Sequence, residues 1–369
     1  MKLVVTKEAL LEGLQRAQNV VGARPTLAVL SNVLLETVEG GLRLTTTDLD
    51  TTVQCQIPAL KIERTGSTTL PARRFAAIAR ELCGSEVTVE TDSKNDVSTI
   101  RCSNSIFKIF GLPKEEFPKL PELQDASEII IKQADLRDGL KRTSYAISMD
   151  ETRYVLNGIL FSFKNNQLTL VATDGRRLAL YETELELPRS QEREFIVPTK
   201  TIIELQRLLN EDAEVRISVT QNIVAFHLGN VLLISKLVEG NYPNYRQVIP
   251  EEAREKIKLE REMLLNIVRR VSLLSVDKSS SVKLTFSKNN MDVLAISPEI
   301  GEARESLPIS YGGKNFSIAF NPEFLLDPLR NVPDEQIDLA LIDEMSPGVI
   351  RTPTGSNFLY VLMPMRVSV

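Results

Sequence analysis

FIVPTKTIIELQRLLN (residues 195–210), followed by EVRISVTQNIVAFHLGNVLLI (residues 214–234), is the stretch that best predicts the fold. A short strand at 195–197 leads through Pro198 into a helix opened by Thr199 and Lys200. The apolar residues of this helix recur at three- and four-residue spacing, as in a helix with one buried face; they are Ile202, Ile203, Leu205, Leu208 and Leu209. Three strand-like runs follow, separated by turn residues at 221–222 and 229–230. The stretch therefore predicts a strand, a helix and a three-stranded meander.

The same unit can be read six times along the chain. Its copies begin near Met1, Thr69, Glu128, Phe195, Lys256 and Phe316. The helices of the odd-numbered copies also share a pattern: LLEGLQR at 10–16, LRDGLKR at 136–142 and LLNIVRR at 264–270. Because the copies pair, we predict an α+β fold of three similar domains at residues 1–125, 126–250 and 251–369, each made of two copies. The alternative is three unrelated α+β domains.

The composition is that of an ordinary globular chain, with 43% hydrophobic and 25% charged residues. No apolar run approaches the 18 residues of a membrane-spanning helix, and the first residues do not resemble a secretion signal. We therefore expect a cytoplasmic protein with no membrane partner. The cysteines Cys55, Cys83 and Cys102 have no C-x-x-C spacing, so we expect reduced thiols in the core and no metal or cofactor.

The charge pattern is less simple than its total. A net charge of −5 argues against a nucleic-acid partner. However, basic residues gather on the predicted helices, namely Arg73, Arg74, Arg80, Arg137, Lys141, Arg142, Arg261, Arg269 and Arg270. If the six helices line one surface, that surface is basic on an acidic protein. The alternative is that these are ordinary solvated helix faces.

Signals of catalysis are weak. His227 is the one histidine, and it lies in a strand-like run without a second histidine to share a metal or a proton. No phosphate-binding loop, dinucleotide turn or nucleophile elbow is present. Asp48, Asp50 and Asp174 could in principle hold Mg²⁺ for phosphodiester cleavage, but Asp174 precedes Gly175, which is typical of a turn. We predict that the protein is not an enzyme.

Seven motifs spread over the chain point to one family: RPTLAVLSN (24–32), TDLD (47–50), LPAR (70–73), LNG (156–158), VATDGRRL (171–178), SKLVEGNYPNY (235–245) and MPMR (363–366). With them the sequence resembles the bacterial sliding clamps, the β subunits of DNA polymerase III. The resemblance implies the DNA clamp fold, a head-to-tail homodimeric ring around duplex DNA with helices inside and sheets outside, and no catalysis or cofactor. The alternative is a repeat-built peptide-binding scaffold that does not encircle DNA.

The resemblance also implies three sets of functional residues. DNA would be contacted by Arg24, Arg73, Arg74, Tyr154 and Lys200. The ring would close through Phe107 and Ile109 against Leu273 and Leu274. A hydrophobic pocket would bind peptides of the polymerase III catalytic subunit, the clamp loader, other polymerases and repair factors. Its implied lining is Leu156, Thr173, Gly175, Arg176, Arg177, Leu178, Pro243, Gln247, Val248, Asn321, Phe324, Met345, Pro347, Val361, Met363, Pro364 and Met365, of which Arg176, Gln247, Met345 and Pro347 differ from the usual family pattern.

Overall fold

The structure is a computed structural model that describes residues 1–22, 25–92, 94–121, 123–124, 126–188, 191–210, 212–250, 254–275, 281–353 and 357–366. Its residues form two compact units. Unit 1 contains residues 1–134 and 200–237, and unit 2 contains residues 135–199 and 238–369. The domain boundaries predicted at residues 125 and 250 stay a prediction. Within the described residues, no helix is long and apolar enough to cross a membrane.

The sixfold repeat of a strand, a helix and three strands is confirmed. Copies one and two are β1 (Lys2–Thr6), α1 (Lys7–Ala17), β2 (Asn32–Val38), β3 (Gly41–Thr47) and β4 (Thr51–Pro58), then, after an additional strand β5 (Lys61–Arg64), β6 (Ser67–Pro71), α2 (Ala72–Glu81), β7 (Glu86–Asp92), β8 (Val97–Cys102) and β9 (Ser105–Phe110). Copies three and four are β10 (Ser127–Lys132), α3 (Gln133–Thr143), β11 (Gly158–Lys164), β12 (Gln167–Thr173) and β13 (Arg177–Glu184), then β14 (Arg193–Pro198), α4 (Thr199–Leu208), β15 (Glu214–Val219), β16 (Ile223–Leu228) and β17 (Val231–Lys236). Copies five and six are β18 (Glu255–Glu260), α5 (Arg261–Val271), β19 (Val282–Ser287), β20 (Asn290–Ser297) and β21 (Gly301–Pro308), then β22 (Phe316–Phe320), α6 (Pro322–Asn331), β23 (Gln336–Leu341), β24 (Gly348–Arg351) and β25 (Phe358–Leu362).

Unit 1 contains two antiparallel sheets. Their strand orders are β5-β1-β7-β8-β9 and β10-β15-β16-β17-β4-β3-β2-β6. The second sheet joins two copies where β17 pairs with β4, with Ile234 opposite Thr52. Strand β9 is an edge strand, and it exposes 62% of Ile106, 37% of Phe107 and 78% of Phe110.

Unit 2 repeats this plan. Its sheets have the orders β14-β11-β12-β13-β25-β24-β23-β18 and β21-β20-β19-β22. The join between two copies is here the pair β13–β25, with Leu178 opposite Val361. Each eight-stranded sheet is therefore built from strands of four different copies.

The glycine shared by the helices of copies one and three has a packing role. A Cβ atom at Gly13 would lie 2.6 Å from Leu44 Cδ1, and one at Gly139 would lie 2.6 Å from Leu170 Cδ1. Both distances are too short for a side chain, so α1 and α3 approach their sheets at these glycines. Copy five has Ile267 at the same place, and this side chain is 5% exposed. Close packing therefore explains the repeated Leu-x-x-Gly-Leu pattern.

The helices are more basic than the rest of the chain. They contain fourteen Lys and Arg residues and nine Asp and Glu residues, a net charge of +5. The whole chain has a net charge of −5. Positive charge is therefore concentrated on the helices, as the sequence indicated.

The expectation of three core cysteines is wrong for one of them. Cys55 and Cys102 are buried, whereas Cys83 is exposed because it follows the end of α2 in the connection to β7. His227 is half-buried on β16, with its Nε2 atom 3.0 Å from Ser218 Oγ. Burial and the nearby Arg216 lower the pKa of His227.

Candidate functional site

A tight turn joins β12 to β13 at residues 173–177. Asp174 Oδ1 accepts hydrogen bonds from the backbone N–H groups of Arg176 (2.9 Å) and Arg177 (3.0 Å). Thr173 Oγ1 accepts from the Gly175 N–H at 3.1 Å and donates to the Arg177 carbonyl at 2.6 Å. Gly175 has a φ of 82°, a left-handed conformation that favours glycine. These bonds fix the direction in which Arg177 and Leu178 enter the sheet.

An apolar cluster lies beside this turn on one face of the eight-stranded sheet of unit 2. Its buried members are Leu160, Val171, Leu178, Leu180, Ile196, Val349, Leu359 and Val361. The segment 238–249 packs on it through partly buried side chains that include Val238, Tyr242, Tyr245 and Ile249. Val248 in the same segment is 50% exposed. This sheet face is therefore apolar, and the segment that covers it carries an exposed apolar side chain at Val248.

The end of the chain forms a second wall. After β25, the Met363 N–H donates to the Arg176 carbonyl at 2.9 Å, and the Met365 N–H donates to the Ala319 carbonyl at 2.7 Å. Pro364, which has no N–H, lies between these two donors. Met363 is 44% exposed. Met365 lines a cleft of about 350 Å³ together with Ala319 and Met345.

The structure brings most of the predicted pocket residues to these two walls. Thr173, Gly175 and Arg176 form the turn, and Leu178 and Val361 belong to the apolar cluster. Pro243, Gln247 and Val248 lie in the covering segment, where Tyr245–Val248 forms a 3₁₀ turn. Asn321 and Phe324 begin α6, whose first N–H groups are capped by Asn321. Leu156 is 7% exposed, Met345 is 61% exposed and Pro347 is half-buried.

Arg177 differs from these residues because its side chain leaves the sheet on the opposite face from Leu178. Its Nε donates to Asp174 Oδ2 at 3.0 Å, its Nη1 donates to Asp327 Oδ2, and its Nη2 donates to the Tyr145 carbonyl. The guanidinium carbon lies 4.4 Å from the centre of the Phe324 ring. The Arg177 side chain is 11% exposed. Sequence reasoning could not find this arrangement, because Tyr145 and Asp327 are distant in the chain.

The residues predicted to contact DNA differ in the exposure of their side chains and in the partners that these side chains bind. Arg73 Nη2 donates to the Val21 carbonyl at 3.0 Å and Lys200 Nζ donates to the Val20 carbonyl at 2.9 Å, so both hold the segment after α1. Lys200 also forms an ion pair with Asp48. Arg74 is exposed and has no ion pair or hydrogen bond within the described residues. Tyr154 is 57% exposed, and Arg24 lies outside the described residues.

The chain matches one family along its length. Residues 1–121, 130–244 and 246–366 match the N-terminal, central and C-terminal domains of the DNA polymerase III beta subunit. The chain belongs to the DNA polymerase III beta subunit family. It is 36% identical, over 100% of its length and 99% of the relative, to a beta sliding clamp of Chlamydia muridarum.

Solved structures of the family have the same fold as this beta subunit. The sliding clamp of Bacillus subtilis matches with a TM-score of 0.96 at 29% identity, over 100% of both chains. A Pseudomonas aeruginosa clamp described as bound to griselimycin matches with a TM-score of 0.95 at 33% identity, again over 100% of both chains.

Unit 1 of this beta subunit contains a counterpart of the turn. Asp48 Oδ1 accepts from the N–H groups of Asp50 (3.1 Å) and Thr51 (2.7 Å), and Leu49 has a φ of 81° at the position of Gly175. The sheet face beside it is different. Thr45, Thr52 and Gln54 occupy the register positions that Val171, Leu178 and Leu180 occupy in unit 2. The Lys236 N–H donates to the Asp50 carbonyl, as the Met363 N–H does to Arg176. At these three positions the sheet face beside the turn is therefore polar in unit 1 and apolar in unit 2.

The carboxylates considered for Mg²⁺ have other partners. Asp48 binds Lys200, Asp50 binds Lys236 at 2.9 Å, and Asp174 binds Arg177 at 3.0 Å. Within the described part of the chain, no group of three or more His, Cys, Asp or Glu residues could hold a metal ion. These contacts give each of the three carboxylates a structural role in its turn.

The residues predicted at the ring interface lie at the surface of their own units. Phe107 and Ile109 are on the edge strand β9 of unit 1, where Ile109 is half-buried. In unit 2, Leu273 is 78% exposed and Leu274 is half-buried, in a 3₁₀ turn after α5. An unpaired edge strand with apolar side chains is a template for pairing with another chain.

Proposed function

We propose that two copies of this beta subunit close head to tail into a ring around duplex DNA, and that the ring tethers DNA polymerase III and other clients through the pocket of unit 2. The observation that supports this most directly is the similarity of the whole chain to proteins named beta sliding clamp. The ring would act as a processivity factor. It would supply enclosure and tethering, while the polymerase it holds would supply the chemistry.

The basic helices support the DNA-facing half of the proposal. Their net charge of +5, in a chain of net charge −5, matches a surface that meets phosphates. Contacts to phosphate are independent of sequence, and enclosure makes strong contacts unnecessary. Arg74 and Tyr154 would touch DNA directly, whereas Arg73 and Lys200 would do so only in part, because each already binds a backbone carbonyl.

The pocket supports the tethering half. The apolar cluster, the covering segment and the Met363–Met365 wall form a hydrophobic site with backbone polar groups at its margin. Such a site fits a short hydrophobic peptide. A polymerase, a clamp loader or a repair factor would present a peptide of this kind. Because one clamp of the family is described as bound to griselimycin, we propose that griselimycin binds in this pocket of the present chain, which makes it a defined probe.

Retention on circular DNA tests the ring against the alternative of a peptide-binding scaffold. The protein is loaded by a clamp loader onto nicked circular DNA, and bound protein is measured before and after the circle is linearised. We expect the protein to stay on circles and to be lost from linear DNA, because a ring is held by topology and slides off ends. Equal retention on both forms would contradict the ring, and absence from both would favour the scaffold.

The ion pair between Asp48 and Lys200 leads to a second prediction. Asp48→Asn keeps the Oδ1 acceptor of the turn but removes the charge that holds Lys200. The freed ammonium group should contact phosphate, so we expect affinity for duplex DNA to rise a few-fold at low salt. The plot of log affinity against log salt should steepen by about 0.9. Fluorescence anisotropy over a range of salt concentrations measures both.

Asp50→Asn is the matched control, because it makes the same change in the same turn but releases Lys236. It should leave the salt dependence unchanged. Equal slopes for Asp48→Asn and the parent protein would mean that Lys200 does not face DNA.

A further inference from the structure

The contacts of Arg177 connect the wall of the pocket to α6. Asp174, which organises the turn at 173–177, receives the Arg177 Nε atom at 3.0 Å. On the other side, Asp327 on α6 receives Nη1. The guanidinium lies between these carboxylates and over the Phe324 ring, one helical turn before Asp327. Arg177 therefore joins the turn to the start of α6.

This link is largely shielded from water. The side chains are 11% exposed for Arg177, 19% for Asp174 and 21% for Asp327. Arg330 lies 3.7 Å from Asp327 Oδ1 and extends the row of alternating charges. Ion pairs in such surroundings are screened less than exposed pairs, and removing one partner leaves the other charge without compensation. Loss of Asp327 would leave Asp174 as the carboxylate partner of Arg177 and Glu323 as that of Arg330.

The same link holds the turn at 173–177, the Met363 segment and Phe324 together. The Phe324 carbonyl accepts a hydrogen bond from the Tyr360 hydroxyl at 2.9 Å. Burial raises the pKa of Tyr360, so this hydroxyl stays a donor. The Phe324 ring packs against the Arg177 guanidinium. The Arg176 carbonyl, next to Arg177, receives the Met363 N–H. A shift of Arg177 would therefore move the turn, the Met363 segment and the Phe324 ring together.

We propose that Asp327 is a positioning residue of the partner pocket: it touches no peptide, but it holds Arg177 so that the turn, Met363 and Phe324 keep the geometry that binds one. The proposal rests on the peptide-binding function proposed for the pocket. It assigns to α6 a part in client binding beyond the residues Asn321 and Phe324 at its start.

The test compares Asp327→Ala with Glu323→Ala. Glu323 is an exposed carboxylate on the same helix, and it too forms an ion pair with Arg330. The dissociation constant of griselimycin is measured by calorimetry well below the melting temperature of each variant. We expect Asp327→Ala to weaken binding about tenfold and Glu323→Ala to leave it unchanged. Arg177→Lys should weaken binding to a similar degree, and the double variant should be no worse than either, because both changes break the same link. A merely stabilising role would lower the melting temperature without changing this affinity.

Amide hydrogen exchange in the free protein gives an independent readout. The N–H groups of Arg176 and Arg177 are bonded to Asp174, and we expect them to exchange at least tenfold faster in Asp327→Ala. If the parent protein binds no griselimycin, the proposed ligand of the pocket is wrong, and exchange alone decides whether Asp327 holds the turn. Parent-like exchange in Asp327→Ala overturns the proposal, and so does parent-like affinity where the parent binds.

Discussion

Removal of residues 363–369 is expected to abolish client binding while the protein stays folded and dimeric. The truncation deletes Met363, Pro364 and Met365, and with them the bonds to the Arg176 and Ala319 carbonyls. Burying a Met side chain contributes about 1.5–3 kcal/mol. Loss of both methionines therefore predicts an affinity at least 100-fold weaker, since each tenfold corresponds to about 1.4 kcal/mol. Binding of griselimycin, or of the polymerase III catalytic subunit, measures the effect.

A chain ending at Arg366 is the matched control for this truncation. It keeps the Met363–Met365 wall, so its affinity should equal that of the full chain. Strand β25 ends at Leu362 in either case, and its pairing with β13 should be preserved. Full affinity in the chain that ends at Leu362 would show that clients bind elsewhere.

Phe107→Asp is expected to convert the ring into monomers that no longer stay on circular DNA. The edge strand β9 has unpaired backbone groups and exposes Ile106, Phe107 and Phe110. A carboxylate at position 107 removes an apolar contact and leaves a charge without a partner if the edge is covered, which costs several kcal/mol. The dimer should dissociate at least 100-fold more readily. Analytical ultracentrifugation at micromolar concentration measures this.

Leu60→Asp is the control for the dimer experiment. Leu60 is 56% exposed and directly precedes β5, at the opposite edge of the same sheet. The same chemical change at that edge should leave the dimer intact. If both variants sediment like the parent protein, β9 is not the ring interface. If both dissociate, the effect is a general one of destabilising the sheet.

The repeat could be predicted from sequence because its signals are local. Alternating apolar residues and three- and four-residue spacing give the six units, and the structure places α4 and β15 to β17 where residues 195–210 and 214–234 predicted them. Strand β5 was missed because KIER contains one apolar residue, Ile62, and becomes a strand by pairing with β1. The joins β17–β4 and β13–β25 were also unpredictable, because no local pattern states which distant strands pair.

The site residues show the same division. Motifs identified the turn at 173–177 and the Met363–Met365 wall, whose residues are close in sequence. They could not show that Lys200 binds Asp48 or that Arg177 binds Asp327, because both partners are about 150 residues away. Roles that depend on such pairs need the fold. For Lys200 and Arg177, the proposed contacts with DNA and peptide stay predictions, and the structure adds the partners that the sequence did not indicate.

The polar sheet face in unit 1 has a consequence for how clients share the protein. With Thr45, Thr52 and Gln54 in place of Val171, Leu178 and Leu180, the counterpart turn offers no second hydrophobic port. If the pocket of unit 2 binds clients as proposed, each chain would hold one client at a time. A second client would bind only after the first has dissociated, so occupancy of the pocket would depend on the residence time and the cellular abundance of each client. A polymerase that dissociates slowly would exclude a repair factor from the pocket until the polymerase dissociates. Clients would therefore bind one after another.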